Sequence, residues 1–190
     1  QHHTGTDIVT SLLNLMFACG MIGRWGAPMM PIRGQNNVQG ACDMGGLPNV
    51  ITGYQPVIDE NVRAKFENAW QTSVKIPAKP GLTVTELMRG ILDGRVKALY
   101  IMGENPILSD PNTNHVKEAL HELEFLVTQD IFLNETAQLA DVVLPGVSFA
   151  EKEGTYTNTE RRVQRVHAAL PIRGDARRDL DIICELGKRL

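Results

Sequence analysis

Cysteine is scarce and badly spaced for chemistry. The 190 residues hold three, Cys19, Cys42 and Cys184. No CxxC or CxxxC pair exists, so the segment offers no local zinc or iron–sulfur ligand set. Each thiol reads as a small hydrophobe, and the odd count with wide spacing favours a reducing compartment. A charge excess is missing too: the formal net charge is −3 and the pI is near 6.0, which excludes a general nucleic-acid backbone binder. No apolar run reaches a membrane span, since the longest, near Leu12–Ile22, is broken by Asn14 and Gly20. The common site motifs are absent as well. There is no GxGxxG, no P-loop, no GxSxG elbow and no HExxH helix. His115, His121 and His167 are isolated.

What is present is ordinary globular composition, 43% hydrophobic and 22% charged, enough for one domain or one domain plus a piece of another. The chain opens at Gln1 almost directly into an apolar helix and stops at Leu190 inside a helical pattern, so both ends read as cut. Ile8, Leu12, Leu15, Met16 and Cys19 recur at helical spacing and predict a helix over Asp7–Met21. Arg24–Gly53 then lacks any periodicity and is rich in Gly, Pro, Asn and Met. An irregular stretch of about thirty residues is uncommon in a compact domain unless it is functional.

Helices are predicted over Glu60–Trp70, Thr83–Asp93, Thr113–Leu123 and Asp175–Leu190, with Thr83 and Glu86 spaced as a capping box. Between them lie three apolar, β-prone runs: Val96–Met102, Glu124–Gln129 and Asp141–Leu144. Apolar strands alternating with helices predict an α/β fold whose parallel sheet is covered on both faces. Ligands of such sheets collect beyond the carboxyl ends of the strands. Two ends carry polar turns, Gly103-Glu104-Asn105 and Gln129-Asp130. On spacing alone, ordinary strand-to-helix turns and an ordinary loop acid are the leading reading of these residues.

Three segments sharpen the reading. Arg33–Gly45 (RGQNNVQGACDMG) resembles the signature of formate dehydrogenase large subunits. Ala137–Pro145 (AQLADVVLP) with Glu151–Arg162 (EKEGTYTNTERR) is similar to a signature of the wider molybdopterin oxidoreductase family. Gln1-His2 with Gly5, Leu15 and Gly20–Gly26 resembles the segment upstream. The resemblance runs end to end. It implies a three-layer αβα fold, a fragment of a multidomain subunit. Residues 1–35 would be the tail of one αβα domain plus an active-site loop, and 36–190 most of a second. It implies a bis-molybdopterin guanine dinucleotide centre with molybdenum or tungsten, and a [4Fe–4S] cluster bound outside this segment. The implied partners are formate, the remaining domains of the subunit and iron–sulfur or electron-acceptor subunits, in a cytoplasmic setting, with no nucleic acid and no membrane span.

Residue by residue, the resemblance assigns Arg33 and Gln35 to the substrate. A guanidinium fork suits a one-carbon carboxylate, giving two parallel hydrogen bonds where lysine offers a point charge. The guanine-dinucleotide contacts map onto Gln1, Gly103, Glu104, Asn105, Gln129, Asp130, Lys152 and Asp179. Lys152 sits between Glu151 and Glu153, so a solvated charge run also accounts for it. Asp179 also suits the first turn of a helix. Arg161 and Arg162 are expected to lock their loop by ion pairs. The metal-ligating cysteine or selenocysteine lies outside these residues, so the 190 residues alone are expected neither to oxidise formate nor to retain the metal cofactor.

Overall fold

The computed structural model describes residues 3–27 and 29–189. Seven helices and seven strands are assigned among them: α1 (Gly5–Ala18), α2 (Val38–Asp43), β1 (Val50–Ile51), β2 (Gln55–Pro56), α3 (Glu60–Trp70), α4 (Val84–Leu92), β3 (Ala98–Met102), α5 (Pro106–Ser109), α6 (Thr113–His121), β4 (Phe125–Asp130), β5 (Val142–Pro145), β6 (Gly154–Thr157), β7 (Val163–Val166) and α7 (Asp179–Gly187).

The three predicted strands form one parallel sheet in the order β3-β4-β5. Because side chains alternate along a strand, β4 divides its residues between two faces. Leu126 points with Leu99 and Ile101 of β3 into a core completed by Met88 and Ile91 of α4, Ile107 of α5, and Val116, Ala119 and Leu120 of α6. The two ends of α4 show why it forms there. The Glu86 carboxylate accepts from the Thr83 backbone N–H at 2.9 Å and from its hydroxyl at 2.7 Å, closing the first turn. At the other end Gly94, at φ +70, leaves the helix.

The second sheet face is covered less completely than its apolar runs predict. Helix α7 reaches it at the strand ends, near Gln129 and Leu144, while Tyr100, Met102, Phe125 and Val142 stay 37–47% exposed. Helix α1 likewise has none of its residues buried, though its Leu12, Leu15 and Phe17 are apolar. No helix among the described residues is long and apolar enough to cross a membrane.

The irregular Arg24–Gly53 stretch holds one short helix, α2, that periodicity could not find because it spans six residues. It is followed by a β1–β2 hairpin. Gly45 and Gly46 allow this fold: a Cβ on Gly46 would sit 2.8 Å from the Ala41 carbonyl oxygen, and one on Gly45 3.0 Å from the Thr52 nitrogen. A second hairpin, β6–β7, carries the TYTNTERR segment.

Candidate functional site

Two clusters of polar side chains form, one at the strand ends and one around Arg33. At the strand ends, Gln129 closes β4 and is 1% exposed. Its amide is held from both sides. The Tyr100 hydroxyl of β3 donates to Oε1, and Nε2 donates to Asp179 Oδ1 at 2.6 Å. The other Asp179 oxygen pairs with Lys152. Tyr100 thereby fixes which way the Gln129 amide faces, and Gln129 with Lys152 fixes the Asp179 carboxylate. Burial, together with the nearby Asp179 charge, pushes the Tyr100 phenol above its ordinary range.

These contacts show what each side chain does within the chain. Asp179 is the first residue of α7, but its oxygens bind Gln129 and Lys152. Of the Glu151–Glu153 charge run, Glu151 accepts from the Ser148 N–H at 2.9 Å, Lys152 turns inward to Asp179 and Glu153 pairs with Arg165 at 3.2 Å. Asp130 organises the following loop, accepting from Phe132 N–H and Asn134 Nδ2, both at 3.0 Å.

Gly103, Gln129, Asp130, Lys152 and Asp179 line one cleft of about 410 Å³. Gly146 lies on its wall, where a Cβ would reach the Asp179 carboxylate at 3.4 Å. Glu104 does not line this cleft. Asn105 donates to Glu135 at 2.7 Å and accepts from the Thr136 hydroxyl at 2.7 Å. That bond holds the Glu135 carboxyl below its ordinary range. Gln1 lies outside the described residues.

The second cluster joins the two signature segments. Asn37 Oδ1 accepts from the Thr157 backbone N–H at 3.0 Å, across 120 residues of chain. Gly40 makes room for it, since a Cβ there would lie 2.3 Å from that same oxygen. Arg33, Gly34, Gln35, Asn36 and Gln39 then face Thr157, Asn158 and Thr159 across a cleft of about 330 Å³. Gln39, itself buried, donates to Asp43 at 2.9 Å. Arg33 donates to the Cys42 sulfur at 3.3 Å. The Cys42 and Tyr54 side chains hold its charged form, keeping the guanidinium above its ordinary range.

The expected ion-pair role of Arg161 and Arg162 is not what the structure shows. Neither makes an ion pair among the described residues. Instead Arg161 lies over the Tyr54 ring at 5.8 Å, and the turn closes through Asn158, which accepts from the Arg162 N–H at 2.9 Å.

A third cleft, of about 450 Å³, lies between the two clusters. It shares Lys152 and Asp179 with the strand-end cleft and is also lined by Asn37. The two clefts at Lys152 and Asp179 thus adjoin, and Asn37 on the wall of the larger one lies four residues along the chain from Arg33. Sequence reasoning missed Tyr100, Cys42 and Tyr54 as contributors. The amides of Asn36, Asn37 and Gln39, with Gly40 close by, were legible as loop braces or cofactor contacts, and Asn37 does brace its loop.

Comparison with known proteins bears on the same segments. A sequence model described as molybdopterin oxidoreductase matches residues 1–189. The chain is 51% identical over 190 residues to the putative formate dehydrogenase YrhE of Bacillus subtilis, spanning 100% of this chain and 19% of that protein. It is 53% identical over 191 residues to the F420-dependent formate dehydrogenase subunit alpha of Methanocaldococcus jannaschii, spanning 100% of this chain and 28% of that one. The chain therefore covers between about a fifth and about a quarter of these relatives. Among solved structures, acetylene hydratase from Pelobacter acetylenicus superposes with a TM-score of 0.52 at 23% identity, over 78% of this chain and 19% of that one, a likeness of fold. With the parallel sheet, the strand-end crevice and the joined signature segments, these matches establish that the chain belongs to the molybdopterin oxidoreductase family.

Proposed function

We propose that this chain is part of the catalytic subunit of a formate dehydrogenase and supplies one wall of its bis-molybdopterin guanine dinucleotide site together with the substrate arginine. The reaction is formate to carbon dioxide, a proton and two electrons. The observation that carries the reading is the cleft in which Arg33 and Gln35 face Thr157–Thr159, because both signature segments contribute to it. Resemblance to chains named formate dehydrogenase supports the substrate.

The residues present fit a guanine dinucleotide. The strand-end cleft offers a carboxylate, an ammonium and an amide, with Gly103 and Gly146 on its wall. A carboxylate suits the N–H edge of guanine, and an ammonium suits its oxygen or a phosphate. Gln129, Asp130, Lys152 and Asp179 would hold the guanosine end there, and the adjoining cleft would lead the rest toward Arg33. Bound there with molybdenum or tungsten, such a group would supply a two-electron acceptor, with a [4Fe–4S] cluster and partner subunits outside this chain as the onward route. Arg33 holds the formate carboxylate through its N–H fork and fixes the direction of the C–H bond. Since carbon dioxide is neutral, the ion pair vanishes with turnover and release is favoured.

The exposed apolar residues of α1 support placing residues 1–35 with a neighbouring unit and 36–190 with a second αβα domain. The 190 residues alone should neither oxidise formate nor retain the metal.

The test is formate-dependent reduction of a viologen dye by the metal-loaded subunit carrying this chain. Arg33→Lys should lower activity on the order of a hundredfold, because the bidentate fork is lost. A metal-loaded wild type with no formate activity would shift the assignment to another substrate of the family.

A further inference from the structure

Arg33 lies on an extended, exposed segment. A free arginine side chain carries much rotamer entropy, and a catalytic positioning group works only when its own orientation is fixed. The surroundings of Arg33 supply that constraint from one rigid unit. Cys42, 6% exposed in the last turn of α2, accepts from Arg33 Nη1 at 3.3 Å. The β1–β2 turn, which carries Tyr54, is clipped to the end of the same helix. There the Gly53 N–H donates to the Asp43 carbonyl at 2.7 Å and the Thr52 hydroxyl to the Met44 carbonyl at 3.2 Å.

Tyr54 also has a backbone φ of 59°, unusual for a bulky residue and characteristic of places where the surroundings impose a conformation. Arg161, itself at φ 63°, covers the Tyr54 ring from the β6–β7 turn. Two residues with left-handed backbone, from separate hairpins, therefore meet at the β1–β2 turn.

We propose that Cys42 is a positioning residue that brackets the Arg33 guanidinium from the α2 side, fixing its orientation while leaving its remaining donors for the carboxylate of the substrate. The proposal rests on the reading of Arg33 as the partner of formate. The choice of sulfur has a physical reason. A carboxylate at position 42 would engage the fork bidentately and compete with the substrate anion. A cysteine sulfur accepts weakly, so it orients the fork without cancelling its charge.

The test uses the metal-loaded subunit and two readouts. In formate oxidation, Cys42→Ala lowers kcat/KM about tenfold. Cys42→Ser, which keeps an acceptor, recovers most of that loss. Cys42→Asp, which keeps an acceptor but captures the fork, is worse than Cys42→Ala. A mere packing role for Cys42 predicts the reverse order of serine and alanine, and that order would overturn the proposal.

Independently of turnover, iodoacetamide labelling of Cys42, mapped by mass spectrometry, should accelerate several-fold in Arg33→Ala, because the guanidinium covers the sulfur. Unchanged labelling overturns the bracket whatever the substrate proves to be. If the wild type labels as expected but does not oxidise formate, the bracket stands and the substrate assignment fails.

Discussion

Lys152 and Asp179, 27 residues apart, meet as a partly buried ion pair where two clefts join. The pair is not isolated: Gln129 donates to the free Asp179 oxygen, and Tyr100 secures Gln129. The carboxylate is thus oriented before any ligand arrives, which lowers the ordering cost of binding. Breaking a partly buried pair from one side leaves the other charge uncompensated.

Asp179→Asn and Lys152→Met should therefore each reduce the guanine nucleotide recovered with the purified subunit, with the larger loss in Asp179→Asn. Nucleotide released by acid treatment, quantified per mole of subunit, measures this. Wild-type nucleotide content in both variants would remove these residues from the dinucleotide site.

Gly40 gives a sharper steric prediction. An alanine there would place its Cβ 2.3 Å from Asn37 Oδ1, so the Asn37 side chain must leave and the bond to Thr157 must break. Gly40→Ala and Asn37→Ala should impair formate turnover by similar factors, and the double variant should be little worse than either alone. Full additivity would show that the two residues act separately.

Thr128 is a buried weak point. It is 1% exposed on β4, and its hydroxyl meets no hydrogen-bond partner among the described residues. Thr128→Val replaces the hydroxyl with a methyl of nearly the same shape. It should be neutral or raise stability by about 1 kcal/mol, read from urea unfolding. A loss of 1 kcal/mol or more would mean that the hydroxyl has a partner in solution.

Acid should loosen α4 at its start. Hydrogen bonds from the Thr83 hydroxyl and backbone N–H hold the Glu86 carboxyl below its ordinary value of 4.5. A depressed carboxyl contributes stability above its unfolded value and loses it as pH falls through the folded one. Hydrogen exchange over Val84–Leu92 should be slower in wild type than in Glu86→Gln at neutral pH, with the gap closing below about pH 4.5. A gap that persists in acid would place the effect elsewhere than in the charge.

The sequence was most legible where periodicity and caps coincide. Glu60–Trp70 is helical over the predicted range, and Thr83 with Glu86 opens α4 as their spacing predicts. The strands ending at Met102 and Gln129-Asp130 lie within a residue or two of their apolar runs. The hairpins were not legible, because two- and four-residue strands such as Val50–Ile51 and Gly154–Thr157 are too short to show a period. Cover on both sheet faces was inferred from apolar strands, yet Phe125 and Tyr100 remain partly exposed, since a strand's composition does not say which chain segment packs on it. At the site, the family resemblance pointed to Asp179 and Lys152 separately. Only the fold pairs them, and nothing in the local sequence of Tyr100 marks it as the anchor of Gln129.

The bond between Asn37 and Thr157 also has a consequence for the order of folding. Closing a loop across 120 residues in a disordered chain carries a large entropic penalty for a single hydrogen bond. That penalty falls once β3, β4 and β5 have paired, because the parallel sheet already shortens the path between the two hairpin regions. The sheet with α4–α6 is thus the earlier-forming part, and the join between the two signature segments comes late. Until that join closes, the cleft around Arg33 lacks its second wall, since Thr157–Thr159 come from the later-docking hairpin.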